Sequence, residues 1–549
     1  MKISKYCFFL IIPMTISCNL LKKNADTLLY NGKIFLVDER GSFASAMAIK
    51  DGRVMAVGET EELRRNYAAG HEVNLEGKTV YPGFIDAHCH LYGLALSLQW
   101  VDLRGAGSFD EVIRRMQERA EQQPDGWLIG RGWDHNLWPG KQFPDRARLD
   151  QLFPGRPVVL MRIDGHSLLA NRKALEAAGI DTLRRFPAGE VATVNGQLTG
   201  ILSENAADYM RSIIPGPERQ ELSELLNRAQ EICFRNGLTG VTDAGLDRET
   251  VELIDLMHQN GTLKIHVSAM LNPTRENIDY YITKGPYQTD RLHVSSIKLY
   301  ADGSLGSRTA LLKQPYSDDS SVKGIQAASI DSLKKVCALA YRHGYQVNTH
   351  CIGDSAVKMM LNIYAGFLKG KNDRRWKIEH AQVVDPADMH LFGDFSIIPS
   401  VQATHATSDM YWAVDRLGPE RIKGAYAYKQ LLEQNGWIPN GTDFPIEQVS
   451  PILTFYAAVT RKDLNGFPEN GFQPENALSR EEALRSVTIW AAMSDFDEKD
   501  MGSLQKGKWA DFIVTDQDIM TIPWSEIPRT KIREVFVHGE KVFSVPVSR

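Results

Sequence analysis

Short apolar runs recur through the centre of the chain, each followed by turn residues or by a helix-like pattern. Runs of this length are typical of strands buried on both faces of a parallel sheet. Strand candidates lie at 82–88, 238–243, 264–270, 294–300, 345–350, 376–380, 396–402 and 437–443.

Helix-like segments separate the later strands, at 331–343, 354–368 and 385–392. In the first of them, Asp331 is the expected N-cap and Gly344 the expected terminator. Strands that alternate with helical crossovers in this way predict an α/β fold, the (β/α)8 TIM-type barrel.

We expect the barrel to occupy residues 81–495. The first two strand candidates are separated by residues 91–237, which is too long for a simple crossover. We therefore expect an inserted subdomain at about residues 105–210.

Both ends of the chain are rich in strand-like runs. Asn31-Gly32 and Asp51-Gly52 are turn signals between such runs, and residues 510–515 and 535–542 have the same character. The pattern predicts one small β-sandwich domain assembled from both termini, residues 25–80 and 496–549.

Metal-binding residue types fall at the carboxyl ends of the predicted strands. His88 and His90 alternate at the end of the first strand, so their side chains should share one face. In a barrel of this kind the carboxyl ends of all strands meet at one face, where the chemistry takes place. The residues at these ends are His88, His90, Lys298, His350, His380 and Asp443. Their convergence predicts a divalent-metal site.

Composition adds two limits. Hydrophobic residues make up 43% and charged residues 24%, as in an ordinary globular protein. The net charge is −5, and no basic stripe with interleaved aromatic residues is present, which argues against a nucleic-acid-binding protein. Cys89, Cys233, Cys337 and Cys351 show no framework spacing, so we expect no structural disulfides.

The N-terminus has the character of an export signal. Lys2 and Lys5 precede an apolar stretch at residues 6–16 that is short for a membrane-spanning helix. Ser17-Cys18 then resembles a bacterial lipobox, although Thr15 stands where Leu is usual. We expect residues 1–18 to be a lipoprotein-type signal peptide, with Cys18 acylated and the protein held at a membrane on the periplasmic or cell-surface side. The alternatives are an ordinary cleaved signal and an uncleaved anchor.

Several motifs together resemble the amidohydrolase superfamily, and within it the branch that includes N-substituted formamide deformylase. The resemblance covers nearly everything after the signal. The matching segments are PGFIDAHCHL (82–91), GWLIGRGWDHNLWP (126–139), DGHSLLAN (164–171), IKLYADGSLGSRTA (297–310), THCIGD (349–354), IEHAQ (378–382), GTDFP (441–445) and GSLQKGKWADFIV (502–514).

The resemblance implies a metal-dependent hydrolase that acts on carbon–nitrogen bonds other than peptide bonds. It implies that His88 and His90 bind one metal with Asp443, and that His350 and His380 bind a second. Histidine and carboxylate ligands suit zinc, with manganese, iron and cobalt as alternatives.

The resemblance also implies roles for Lys298 and Asp443. Lys298 matches a position that is carboxylated and bridges both metals in binuclear members, whereas the alternative is an ordinary ion-paired lysine. Asp443 would take a proton from metal-activated water and pass it to the departing nitrogen, unless it is a ligand only.

Other residues are weaker candidates for contact with the substrate. Asp302 and Arg308 follow the fourth strand and would hold a polar group, or pair with each other. His405, His135 and His166 would reach the substrate, or lie behind the site or at the surface. Trp133 and Trp138 would wall an apolar pocket or fill the core of the insertion. No function is assigned to His71, His258, His293, His343, His390 and His538.

The sequence thus predicts a hydrolase with a small-molecule substrate and a lipid anchor, as a monomer or an oligomer. One alternative is an esterase, lactonase or phosphoesterase that uses the same metal site. An alternative of another class is a surface-binding lipoprotein that has lost catalysis. The completeness of the expected ligand set favours the enzyme.

Overall fold

The computed structural model describes residues 22–545. Cys18 and the predicted signal peptide lie outside this part of the chain. None of the helices within residues 22–545 combines the length and the apolar character that crossing a membrane requires.

The central sheet is a nearly closed barrel of parallel strands, which confirms the predicted TIM-type fold. Neighbouring strands pair in parallel register around the barrel, and a short antiparallel strand, Tyr287–Gln288, extends one of them. In order of pairing, the barrel strands are Ile398–Ser400, Lys377–His380, Gln346–Cys351, Leu292–Tyr300, His266–Leu271, Leu238–Leu246 and Phe84–Cys89.

The eighth predicted strand, 437–443, is wrong as a strand, because this segment forms only an isolated bridge between Asn440 and Val401. The run contains Pro439, which has no amide hydrogen to donate, and Gly441, and both residue types weaken a strand. The segment nevertheless closes the barrel. The amide of Gly441 donates to Val401, and the amide of Asp443 donates to His88 O at 2.8 Å.

Helices cover the outside of the barrel. The predicted helices at 331–343 and 354–368 are present as Ile330–His343 and Asp354–Leu368, and Gly344 ends the first in a left-handed conformation. Its N-cap is Ser329 and not Asp331, because the Ser329 hydroxyl accepts the amide of Ser332. The other helices of this layer are Leu91–Ser97, Arg219–Arg235, Arg248–Gln259, Arg275–Tyr280, His390–Asp394, Ala403–Asp409, Ala413–Arg421, Tyr428–Asn435, Pro451–Thr460, Arg480–Ser486 and Ile489–Ser494. Short 3-10 turns lie at Ile282–Lys284, Pro386–Asp388, Ile422–Gly424, Pro474–Asn476 and Trp524–Arg529.

A second sheet with its own helices lies between the first and second barrel strands, where the sequence predicts an insertion. Its strands pair in the order Gly189–Val194, Gln197–Glu204, Ser167–Ala170, Val158–Arg162, Leu128–Trp133 and Val101–Asp102. Its helical segments are Phe109–Gln122, His135–Leu137, Ala147–Leu152, Arg172–Ala177 and Asn205–Ile213.

Strands from both ends of the chain form two further sheets. The first contains Arg53–Gly58, Ala46–Lys50, Lys23–Tyr30 and Tyr67–Asn74, and the helix Thr60–Asn66 packs beside it. The second contains Glu540–Ser544, Ile532–Val537, Phe512–Thr515, Thr79–Pro82, Lys33–Phe35 and Phe43–Ala44. Leu29 and Met47 of the first sheet share a core with Val80 and Phe512 of the second, so the sheets pack as a sandwich.

The cysteines of the described part of the chain are buried and unpaired, as the sequence predicts. They are Cys89, Cys233, Cys337 and Cys351.

Candidate metal centre

The strand Phe84–Cys89 brings His88 and His90 to the carboxyl end of the barrel. His88 is fully buried, whereas the His90 side chain is 26% exposed and faces a cavity. Asp86, on the same strand, accepts the Thr442 amide at 3.0 Å and the Thr442 hydroxyl at 2.7 Å. This carboxylate therefore ties the first strand to the segment that carries Asp443.

Asp443 reaches the same point from the closing segment. A Cβ atom at Gly441 would lie 2.6 Å from His88 N, so only glycine lets this segment pass so close to the first strand. Asp443 itself adopts a left-handed conformation, with φ of 59°. Its Oδ1 lies 3.3 Å from His90 Nε2 and 3.7 Å from His88 Nε2.

His380 and His405 approach Asp443 from the other side. His380 ends the strand Lys377–His380 with φ of 70°, a value that non-glycine residues seldom adopt and that often marks functional sites. His405 lies on the helix Ala403–Asp409, and its Nε2 is 3.5 Å from Asp443 Oδ2.

The side chains thus form two ligand clusters that share one carboxylate. The clusters are His88, His90 and Asp443, and His380, His405 and Asp443. Within each cluster, one donor atom per residue lies within 4.8 Å of the others. Asp443 Oδ1 and His405 Nε2 are buried and have no hydrogen-bond partner among residues 22–545. Buried polar atoms without partners are costly, and a divalent cation would satisfy them. The residues therefore fit a metal ion.

The protonation states also suit metal binding. Burial holds the pKa of His88, His350 and His380 well below the usual range, so these imidazoles are neutral. Burial alone would raise the pKa of Asp443, but His90 and His88 hold it below its usual range, so Asp443 is ionised.

Lys298 lies beneath the histidines on the strand Leu292–Tyr300. The side chain is buried, and its Nζ lies 3.1 Å from His88 Nε2. Burial lowers the pKa of Lys298, which favours the neutral amine.

His350 lines the same cavity but lies outside both ligand clusters. Its Nε2 donates to the carbonyl of Gly303 at 3.1 Å. The ring is 4.7 Å, between centroids, from that of His380. The structure therefore places His350 beside the clusters, with one ring nitrogen engaged by the loop that follows the fourth predicted strand.

Two residues that orient the histidines have no role in the sequence analysis. Glu379 Oε2 accepts from His88 Nδ1 at 2.7 Å, and Gln402 Oε1 accepts from His380 Nδ1 at 2.7 Å. Each interaction engages Nδ1 of the histidine. The lone pair on Nε2 therefore stays free to bind a metal ion. The signal for Glu379 is a carboxylate inside a strand whose residues are all buried.

A cavity of about 430 Å³ opens above the clusters, between the barrel and the insertion. His166 of the insertion lines it, and its Nδ1 donates to Glu204 Oε2 at 3.0 Å. Burial alone would lower the pKa of His166, but Glu204 raises it to about 9, so this imidazole is a cation at neutral pH. Small molecules that enter the cavity would meet the ligand clusters on one wall and this cation on another.

Asp302 and Arg308 do not pair with each other. Asp302 is fully buried and accepts the amides of Ile352 and Gly353 at 3.0 and 2.8 Å, so it braces a loop. Arg308 forms an ion pair with Asp318 at 2.9 Å.

The remaining candidates of the insertion lie in its interior. His135 is buried and accepts from Arg162 Nε at 3.3 Å. Trp133 and Trp138 are stacked with ring centroids 5.7 Å apart, and both are buried in the core of the insertion. The structure thus favours the core-filling role for the two tryptophans.

Comparison with known proteins places the chain in a family. The profile of the amidohydrolase family matches residues 71–543, which is most of the chain. The chain belongs to the amidohydrolase family. YtcJ of Bacillus subtilis (strain 168), a protein named as an amidohydrolase, is 31% identical to it over 528 residues, covering 94% of this chain and 98% of YtcJ.

Two further relatives agree with this assignment. The N-substituted formamide deformylase of Arthrobacter pascens is 25% identical over 537 residues, covering 94% of this chain and 97% of that enzyme. The crystal structure of a metal-dependent hydrolase from Pyrococcus horikoshii is 30% identical and superposes with a TM-score of 0.75, covering 91% of this chain and 99% of the other. This amidohydrolase therefore belongs to a family of metal-dependent hydrolases of small molecules, and its candidate metal-binding residues lie at the carboxyl end of the barrel.

Proposed function

We propose that this amidohydrolase cleaves a carbon–nitrogen bond other than a peptide bond, in an amide, a formamide or a cyclic amide. The observation that carries the proposal is the position of Asp443. Its buried carboxylate lies between two pairs of histidines on the wall of a cavity, and one of its oxygens has no hydrogen-bond partner among residues 22–545. The deformylase relative supports the choice of bond, because its name states that it acts on N-substituted formamides.

We propose that His88, His90, His380, His405 and Asp443 hold one or two divalent ions, zinc by preference, with Lys298 and His350 beside them. A bound ion would lower the pKa of a coordinated water to about 7 and polarise the substrate carbonyl. His405 is included among the proposed ligands because its Nε2 lies as close to Asp443 as the other histidines do.

Asp443 is the group that moves the proton in this proposal. Its carboxylate is ionised and borders the cavity, so it can accept a proton from the attacking water. The same carboxyl then gives that proton to the departing nitrogen, which leaves as a neutral amine. His166 lines the same cavity and would hold an electron-rich group of the substrate.

A hydrolysis screen tests the proposal. N-formyl, N-acyl and cyclic amides are compared with ester and lactone analogues of the same shape, and metal content is measured on the same sample. We expect turnover of at least one amide class and loss of that turnover in Asp443→Asn. Hydrolysis of esters and not of amides would contradict the proposed carbon–nitrogen specificity and favour the esterase alternative. Protein without metal and without turnover would favour the binding lipoprotein.

We propose that the protein is exported and lipid-anchored through Cys18. The support is the basic start at Lys2 and Lys5, the apolar residues 6–16 and the lipobox-like Ser17-Cys18, all of which lie outside the described residues. In a bacterial host, wild-type protein should incorporate labelled fatty acid and fractionate with membranes, whereas Cys18→Ala should do neither. An unlabelled wild-type protein would contradict the anchor.

A further inference from the structure

A second group of metal-ligand side chains lies at the opposite end of the barrel. His266 is the first residue of the strand His266–Leu271, so it lies at the amino end of that strand, away from the cavity. Asp511 directly precedes the strand Phe512–Thr515 of the β-sandwich, and His538 directly follows Ile532–Val537. The three side chains meet where the barrel and the sandwich join.

Their donor atoms converge as tightly as those of the candidate metal centre. One donor atom from each of His266, Asp511 and His538 lies within 4.8 Å of the others. His266 Nε2 is 2.9 Å from Asp511 Oδ2, and both side chains are less than 10% exposed, at 8% and 4%. Two imidazoles and a carboxylate are the donor set of many three-ligand zinc sites.

Three atoms of this group are buried and lack hydrogen bonds. His266 Nε2, Asp511 Oδ2 and His538 Nε2 have no hydrogen-bond partner within the described chain, residues 22–545. The short distance between His266 Nε2 and Asp511 Oδ2 is therefore a close approach without hydrogen-bond alignment. A single unsatisfied buried polar atom costs about 1–3 kcal/mol, so three at one point need a common partner.

The surroundings hold the ligands in place. Asp511 Oδ1 accepts the backbone amide of His538 at 2.7 Å, so the carboxylate is fixed by one oxygen and its other oxygen stays available. The ring of His538 stacks on Trp509, with centroids 3.7 Å apart and planes 16° apart. The guanidinium of Arg53 lies 3.6 Å from the centre of the same indole ring. Neighbouring groups therefore hold Asp511 and His538 in fixed orientations, as in known metal-binding sites.

We propose that His266, Asp511 and His538 bind a divalent transition-metal ion of the zinc type, separate from the catalytic centre. The ion would join a barrel strand to two segments of the β-sandwich, and water would complete its coordination. The role that follows is structural, because the amino end of the barrel lies away from the catalytic face.

The competing explanation is an ion pair between protonated His266 and Asp511 that needs no metal. It leaves His538 Nε2 without a partner among residues 22–545, whereas a metal ion would satisfy all three atoms. The two explanations differ in bound metal, which can be measured directly.

Zinc binding to variants tests the site. Purified wild type, His538→Asn and His266→Gln are stripped with a chelator, loaded with zinc chloride and dialysed, and zinc per chain is measured by mass spectrometry. We expect each variant to hold one zinc ion fewer than wild type and to keep its amide hydrolysis. His258→Gln is the matched control, because His258 is a neighbouring, partly buried histidine whose Nε2 already donates to Ile265 O at 3.0 Å. It should bind as much zinc as wild type.

The temperature of unfolding gives a second test, which remains informative if the variants are less stable than wild type. In a background with His90→Asn and Asp443→Asn, zinc chloride should still raise the temperature of unfolding, and adding His538→Asn should remove that increase. Equal zinc content in wild type and His538→Asn, or an unchanged zinc-dependent shift in the triple variant, would overturn the proposal in favour of the ion pair.

Discussion

His88 Nδ1 lies 2.7 Å from Glu379 Oε2, and both side chains are fully buried. Burial raises the pKa of Glu379, whereas Lys377 and Lys298 oppose that change; in its ionised form the carboxylate can only accept, which places the hydrogen of His88 on Nδ1 and the lone pair on Nε2. Asp443 lies on the Nε2 side, with Oδ1 3.7 Å away. Glu379 therefore fixes the tautomer and the orientation that His88 needs as a metal ligand.

We expect Glu379→Gln to weaken metal binding by about 10- to 100-fold without unfolding the protein. Glutamine keeps the size of the side chain but removes its negative charge and allows it to donate to His88 instead. The measurement is a zinc competition titration with a chromogenic chelator, supported by circular dichroism.

A distant carboxylate provides the control for Glu379. Glu482 belongs to a capping box at the start of the helix Arg480–Ser486. Glu482→Gln should keep the capping box, because glutamine also serves at this position, and should leave zinc affinity as it is in wild type. Equal zinc affinity in Glu379→Gln and wild type would show that the His88–Glu379 contact does not tune the metal site.

Asp443→Asn should lower turnover by about 100- to 10,000-fold, because it removes a carboxylate that we propose both to bind the metal and to move the proton. Steady-state rates with the best amide from the screen measure the effect. Asp354→Asn is the comparison, since Asp354 is also a buried aspartate near a strand end, but its carboxylate accepts the Lys313 amide instead of joining a ligand cluster. Comparable losses in both variants would indicate a general structural defect.

Lys298 should carry a carbamate in the metal-loaded protein. Its Nζ lies 3.1 Å from His88 Nε2, and burial lowers its pKa, so the neutral amine can add carbon dioxide. Reconstitution with zinc and 13C-labelled bicarbonate should give a carbamate resonance in the carbon NMR spectrum, and Lys298→Arg should lack it. Full metal loading and full activity without this resonance would identify Lys298 as an unmodified lysine.

The sequence predicts the barrel well because each strand and helix leaves a local pattern in the chain, and parallel strands joined by helical crossovers allow few arrangements. Once parallel strands are assigned, their carboxyl ends share one face, and this is why His88, His380 and Asp443 could be grouped before the structure. The same reasoning places His405 only approximately. The short helix Ala403–Asp409, which was not predicted, turns this residue back toward Asp443.

Residues whose role depends on distant partners were harder to find. Glu379 and the proposed ligand His380 are adjacent on one strand, so periodicity gives no reason to place both at the candidate metal centre. The positive φ of His380 is visible only in three dimensions. His266 and His538 are far apart in the chain and lie away from the carboxyl ends of the strands. Only the packing of the barrel against the sandwich brings them together.

The contact between His166 and Glu204 should make stability depend on pH. Glu204 raises the pKa of His166 to about 9 in the folded protein, above the ordinary value of 6.5, so the folded state binds the proton more tightly than the unfolded state. The resulting stabilisation is fully present below pH 6.5 and is lost as the pH rises towards 9.

In metal-free protein, the free energy of unfolding of wild type should therefore fall between pH 6.5 and pH 9. The fall should exceed that of His166→Gln by at most about 3 kcal/mol. Urea unfolding of both proteins across this pH range measures the difference. Glutamine keeps a polar side chain at the position but cannot titrate, so parallel curves for the two proteins would mean that His166 is neutral when folded. A steeper fall in wild type would establish that the cavity wall carries a cation near neutral pH, where it can hold an electron-rich substrate group.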